Sequence, residues 1–240
     1  MEETKLTFKR YEKKYLLSPE TYAALRERLD PYIEPDEYPS STVCSLYYDS
    51  DDYRLIRHSI EGPVYKEKLR LRSYGVPGDG DTVFIELKKK YKGIVYKRRV
   101  AMPAAAAEAW LAGERAPGED SQMIREIAFF LDSCRPAAKV YLACDRTAWR
   151  AKDDPELRIT FDQNIRWRRT ELDLRAGSGG EPLLENGQVL MELKLPEAAP
   201  LWLAHLLSEF SLFPTSFSKY GTCYKEHILE DYVKGVIFSA

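Results

Sequence analysis

From Lys66 to Arg99 the chain alternates with a period of two. Lys66, Lys68, Arg70 and Arg72 fall on one face of an extended segment, and Glu67, Leu69 and Leu71 fall on the other. A two-residue turn at Lys92-Gly93 sets Lys88 opposite Lys97 and Glu86 opposite Arg99, all on one face. The same alternation predicts eight strands, near 5–17, 42–49, 63–74, 82–91, 94–102, 138–149, 156–163 and 189–195. Helical spacing and caps predict helices from Ser18 to Pro31, from Ser50 to Ile60, over 104–112, from Ser121 to Pro136, over 199–211 and over 221–233. The glycine-rich stretch 176–187 reads as a loop.

Most predicted strands have one charged and one apolar face. The charged positions are Glu12 and Lys14, Arg70 and Arg72, Glu86 and Lys88, Lys97 and Arg99, Arg158, and Glu192 and Lys194. A solvated face explains any one of these strands. Their recurrence, with Arg and Lys beside isolated Glu, favours an α+β fold built on a closed eight-stranded antiparallel β-barrel, with helices covering the apolar outside and a polar lumen. Such a barrel holds side chains or one narrow ligand. About ten unpaired cations inside it would repel one another and be costly to bury. A linear polyanion with a divalent metal would balance them, because phosphate oxygens accept charge-assisted hydrogen bonds from Arg and Lys.

At 240 residues and 44% hydrophobic content, with no repeat or linker, the chain is expected to form one domain over 1–240. The 36 basic and 38 acidic residues leave a net charge of -2, which argues against a general nucleic-acid binder and requires any polyanion site to come from local segregation of charge. Cys44, Cys134, Cys144 and Cys223 form no CxxC pair and read as buried thiols of a reducing compartment rather than a zinc site. His58, His205 and His227 have no metal-ligand spacing. The N-terminus has no signal-peptide core, and the apolar window 101–112 is short of the roughly 20 residues a membrane-spanning helix needs. These features point to a cytoplasmic protein without direct membrane insertion.

The motifs RYEKKY at 10–15, KLRLRSYG at 68–75, IELKKK at 85–90, YKRR at 96–99, DRTAW at 145–149, LRITFD at 157–162, MELKL at 191–195 and SFSKYG at 216–221 together resemble the VTC domain. This is the polyphosphate-polymerase branch of the triphosphate tunnel metalloenzymes, relatives of the CYTH phosphatases and cyclases, and the chain is most similar to the stand-alone bacterial type. The resemblance implies an eight-stranded antiparallel tunnel and transfer of the γ-phosphate of ATP to a growing polyphosphate chain, assisted by Mn²⁺ or Mg²⁺. It implies a catalytic set of Arg70, Arg72, Glu192 and Lys219, with Lys14, Lys88, Lys97, Arg146, Arg158 and Lys194 holding phosphates and Arg99 joining them by its place in the hairpin. Glu192 takes the metal-binding position, and Glu12 and Glu86 are secondary metal candidates. The chain departs from the eukaryotic pattern at Ser216 and Ile94, where that pattern has lysines. A triphosphatase of the same class and a non-enzymatic polyphosphate or nucleotide sensor are the alternatives, with no regulatory partner identified.

Overall fold

The computed structural model describes residues 11–92, 94–114, 118, 121–196 and 198–235. The predicted strand residues 5–10 and the turn glycine Gly93 lie outside the described residues. The elements are β1 (Tyr11–Leu17), α1 (Pro19–Leu29), β2 (Ile33–Asp49), α2 (Arg54–Ile60), β3 (Tyr65–Tyr74), β4 (Thr82–Tyr91), β5 (Ile94–Pro103), α3 (Ala104–Leu111), α4 (Gln122–Cys134), β6 (Ala137–Ala151), β7 (Arg158–Arg168), β8 (Glu181–Pro182), β9 (Val189–Leu195), α5 (Leu201–Glu209), α6 (Lys219–Cys223), a π-helical turn (Tyr224–Ile228) and α7 (Leu229–Val233).

The fold is α+β, with a nine-stranded sheet in the order β1-β9-β7-β6-β2-β3-β4-β5 and β8 beside β7. All the pairings with an assigned register are antiparallel. This corrects the expectation of a closed eight-stranded barrel. The hydrogen-bonded path ends at β1 and β5, and no ladder joins these two strands among the described residues.

The chain forms two compact units, each assembled from separate segments. The first comprises residues 11–41, 145–165 and 184–217. Its core is the apolar face of β1, β7 and β9 (Tyr15, Leu17, Ile159, Phe161, Met191, Leu193) under Leu25 and Leu29 of α1 and Leu203 and Leu206 of α5. The second comprises 42–144, 166–183 and 218–235. There Leu46, Leu69, Leu71, Ile85 and Leu87 meet Trp110 of α3 and Ile127 and Phe130 of α4. Burying each such side chain contributes about 1.5–3 kcal/mol. Because strand side chains alternate, placing helices on the apolar face commits the charged positions to the opposite one.

Ser18 and Ser121 cap α1 and α4 as their sequence positions suggest, accepting from the Thr21 and Ile124 backbone N–H groups. The cap of α2 differs from expectation. Ser50 Oγ accepts only from Arg54 N, at 3.0 Å, while the buried Asp49 carboxylate accepts from Leu55 N at 2.8 Å and Ile56 N at 3.0 Å. β2 begins at Ile33, nine residues before the predicted 42. Pro35 and Pro39 mask this extension. The ladder with β3 covers only Val43–Tyr48, so neither proline removes a bond from it. The predicted helix over 221–233 begins at Lys219, where Ser218 Oγ accepts from Gly221 N, and passes through the π-helical turn. Cys44, Cys144 and Cys223 are buried thiols, whereas Cys134 is only partly covered.

Candidate functional site

In the second unit the strand register aligns charges in rows across the sheet. Tyr47 of β2 pairs with Arg70 of β3, Arg70 with Glu86 of β4, and Glu86 with Arg99 of β5. The neighbouring row is all lysine, with Lys68 opposite Lys88 and Lys88 opposite Lys97, and beyond it Lys66 stands opposite Lys90. On the other side Arg72 lies between Ser45 and Phe84. The hairpin register is the one expected from the sequence. Lys92, at φ 46°, takes the left-handed conformation that a two-residue hairpin turn requires.

Glu86 is the hub of these rows. It is 1% exposed. Its Oε2 accepts from Arg70 Nε at 2.7 Å, and Oε1 accepts from Arg99 Nε at 2.7 Å and lies 2.6 Å from Lys97 Nζ. Arg72 stands 4.0 Å away. Burial alone would raise its carboxyl pKa, but Arg70, Arg72 and Lys97 outweigh that and hold it well below the usual carboxylate range. Burial lowers the Lys97 ammonium despite the Glu86 contact. The carboxylate fixes three cations on one face, oriented before any ligand arrives. Lys68 Nζ donates to Ser218 Oγ at 2.9 Å, and Lys219 follows as the first residue of α6.

In the first unit β1, β9 and β7 set Glu12 opposite Lys194 and Lys194 opposite Arg158, then Lys14 opposite Glu192 and Glu192 opposite Thr160. Lys14 Nζ lies 3.4 Å from both Glu12 Oε1 and Glu192 Oε1 and donates to the Phe217 carbonyl at 3.1 Å. Arg146 donates to Asp162 through Nε at 2.5 Å and Nη2 at 2.7 Å, and its Nη2 is 3.7 Å from Glu192 Oε2. Arg158 is bound by Asp36, with Nε at 2.8 Å from Oδ2. Burial, with the Arg146 charge behind it, lowers the Lys194 ammonium.

The expected site residues thus fall into two sets. Arg70, Arg72, Lys88, Lys97, Arg99, Glu86 and Lys219 belong to the second unit, and Lys14, Arg146, Arg158, Lys194, Glu12 and Glu192 to the first. Sequence reasoning passed over Asp162, Asp36 and Ser218. Asp162 shares a strand face with Arg158 and Thr160, a pattern already visible in the sequence, but nothing local shows that it clamps Arg146. Asp36 lies in the unpredicted half of β2.

Metal fit separates the three candidate carboxylates. No cage of three or more His, Cys, Asp or Glu side chains is found among the described residues. Mg²⁺ and Mn²⁺ often need only one or two carboxylates, with phosphate oxygens completing the shell. Glu12 and Glu192 fit that use: they flank one ammonium at 3.4 Å, and the buried Thr160 Oγ1 opposite Glu192 in the register has no hydrogen-bond partner among the described residues. Glu86 does not fit. Both its oxygens are engaged by Arg70, Arg99 and Lys97 at 2.6–2.7 Å, and a divalent ion would have to displace them.

In each unit the charged rows stand on the sheet face opposite the helix-covered apolar one, with carboxylates beside lysine and arginine. The VTC domain sequence pattern matches residues 9–228, and the chain belongs to the VTC domain family. It is 23% identical over 240 residues to vacuolar transporter chaperone complex subunit 4 of Trypanosoma brucei brucei, aligning 84% of this chain with 30% of that protein. Subunit 4 of Trypanosoma cruzi gives 23% identity with 84% and 29% coverage. The chain therefore spans under a third of the length of these curated relatives. Among solved structures, a candidate adenylate cyclase from Bacillus halodurans shares the fold, with a TM-score of 0.55, 16% identity, and coverage of 86% of this chain and 92% of that one. No described helix is long and apolar enough to cross a membrane.

Proposed function

We propose that this chain is a metal-dependent polyphosphate polymerase that transfers the γ-phosphate of ATP to the end of a polyphosphate chain, with residues 1–240 acting as one functional domain. Membership of the VTC family supports the reading, and one observation carries it: the all-lysine row Lys68-Lys88-Lys97 beside an arginine row that Glu86 pre-orients. Phosphoryl transfer asks mainly for in-line positioning and stabilisation of charge on the transferred group. Arg70, Arg72 and Arg99 provide guanidinium forks, and Lys88, Lys97 and Lys219 provide point charges. Lys14, Arg146, Arg158 and Lys194 supply the cations of the first unit.

Glu192, with Glu12, would hold Mg²⁺ or Mn²⁺, which would supply positive charge to stabilise the transferred phosphoryl group. The acceptor is an already ionised terminal phosphate. One P–O bond forms to it as the bond to ADP breaks, so no side chain needs to act as general base. A triphosphatase is the second reading, favoured by the uncharged Ser216 and by Ile94, which is 41% exposed where the family pattern has a lysine. Incubating the chain with ATP and Mn²⁺ decides between them. Long polyphosphate on a gel is expected, whereas orthophosphate release without polymer supports hydrolysis, and binding without turnover overturns both.

A further inference from the structure

Two stacked tyrosines in the second unit differ in what their hydroxyls do. The rings of Tyr47 and Tyr220 lie 4.8 Å apart at 27°. Tyr220 donates to Asp49 Oδ2 at 2.9 Å, and that buried carboxylate also accepts from the backbone of Ser50, Leu55 and Ile56. Its proton is committed. Tyr47 OH accepts from Arg70 Nη1 at 3.1 Å, and among the described residues its own proton finds no acceptor, although Tyr47 is 7% exposed. A buried O–H donor left without an acceptor is costly. This donor sits in the row with Arg70, Glu86 and Arg99.

We propose that Tyr47 is a phosphate-binding residue whose hydroxyl donates a hydrogen bond to a phosphate oxygen held by Arg70, and that Tyr220 and Asp49 are positioning residues that fix its ring. The proposal rests on the polyphosphate reading. It adds a neutral donor to a face otherwise read as cationic, and it gives the Asp49-Tyr220 contact a purpose beyond capping α2. Tyr47 is the acidic member of the pair. Burial would raise its phenol, but the charges of Arg70, Arg72 and Lys68 outweigh burial and bring it down to about 8. Burial and the Asp49 charge push Tyr220 the other way, well above its ordinary value. A more acidic hydroxyl is the stronger donor to an oxyanion, and a bound oxyanion in turn favours the protonated phenol.

The test is binding of inorganic tripolyphosphate by calorimetry as a function of pH, together with ultraviolet titration of tyrosinate. The groups facing Tyr47 are Arg70, Arg72 and Lys68 of β3, Glu86 of β4 and Tyr220 of α6. In the wild type one tyrosine is expected to ionise near pH 8, to shift upward on adding tripolyphosphate, and affinity is expected to fall as pH rises through that range. Tyr47→Phe should weaken binding about tenfold and abolish both the early tyrosinate signal and that pH dependence, with circular dichroism unchanged. Tyr220→Phe, which keeps the ring but loses the Asp49 bond, should weaken binding by a smaller factor and leave the signal present. Equal affinity and equal pH dependence in wild type and Tyr47→Phe overturn the proposal while the polymerase reading stands. Failure of the wild type to bind tripolyphosphate overturns both.

Discussion

Glu86 and Glu192 are both buried carboxylates on charged strand faces, yet their surroundings make them different instruments. Glu86 is gripped by Arg70, Arg99 and Lys97 at 2.6–2.7 Å and is 1% exposed. Glu192 is 8% exposed, and Lys14 and Arg146 stand 3.4 and 3.7 Å from it. A carboxylate saturated by cations organises those cations. One whose cations Lys14 and Arg146 are shared with Glu12 and Asp162 is the carboxylate proposed for the metal.

The sharpest way to break this distinction is Glu86→Gln. Removing one partner from a buried charge cluster leaves the others uncompensated, and a loss of about 3–5 kcal/mol of stability is expected in urea unfolding. The same pairing makes a pH prediction. The Glu86 pKa is depressed on folding, so its contribution is fully present above the ordinary carboxyl value of 4.5 and is lost as pH falls from there toward its folded value. Stability of the wild type below pH 4.5 should therefore fall more steeply than that of Glu86→Gln. Parallel acid-unfolding curves would refute the hub role.

Glu192→Gln should do the opposite. On the proposed function, loss of the Glu192 carboxylate is expected to cut Mn²⁺-dependent turnover at least about a hundredfold, with a smaller loss of unfolding free energy than Glu86→Gln gives. A large stability loss with turnover intact would make Glu192 another Glu86. Asp162→Asn comes next in size. It weakens the bidentate clamp that aims Arg146, and about a tenfold rise in the ATP concentration needed for half-maximal rate is expected with a smaller change in maximal rate.

The sequence made the local part of this arrangement legible and hid the distant part. Alternation alone placed Glu86 opposite Arg99 and Lys88 opposite Lys97, because a two-residue hairpin leaves no freedom of register. It could not show that Arg70 and Arg99 close on the same carboxylate, since side-chain convergence depends on the reach and rotamer of each arm. Asp36 and Asp162 were invisible as partners for a related reason: they lie 122 and 16 residues from the arginines they hold, and nothing in a single sequence scores such a pairing. Strand ends were lost where Pro35 and Pro39 imitate a loop. Barrel closure was inferred from the recurrence of one charged face on most strands, a pattern that requires only that the charges find partners. Asp36, Glu86 and Asp162 are such partners without a closed ladder.

The smallest prediction uses neighbouring lysines to test whether the two faces of one strand have separate work. Lys88 lies in the lysine row between Lys68 and Lys97. Lys89 points the other way, 3.4 Å from Glu126 of α4 and 3.9 Å from Glu67. Partly exposed pairs of this kind contribute about 0.2–1 kcal/mol. Lys89→Ala should therefore cost no more than that in urea unfolding and leave tripolyphosphate affinity unchanged. Lys88→Ala removes one cation from the lysine row on the opposite face. Its tripolyphosphate affinity should fall several-fold, with a shallower salt dependence because one cation fewer meets the polyanion. If the two substitutions gave the same affinity and the same salt slope, the charged face would be an ordinary solvated surface, and the row of lysines would have no claim to a substrate.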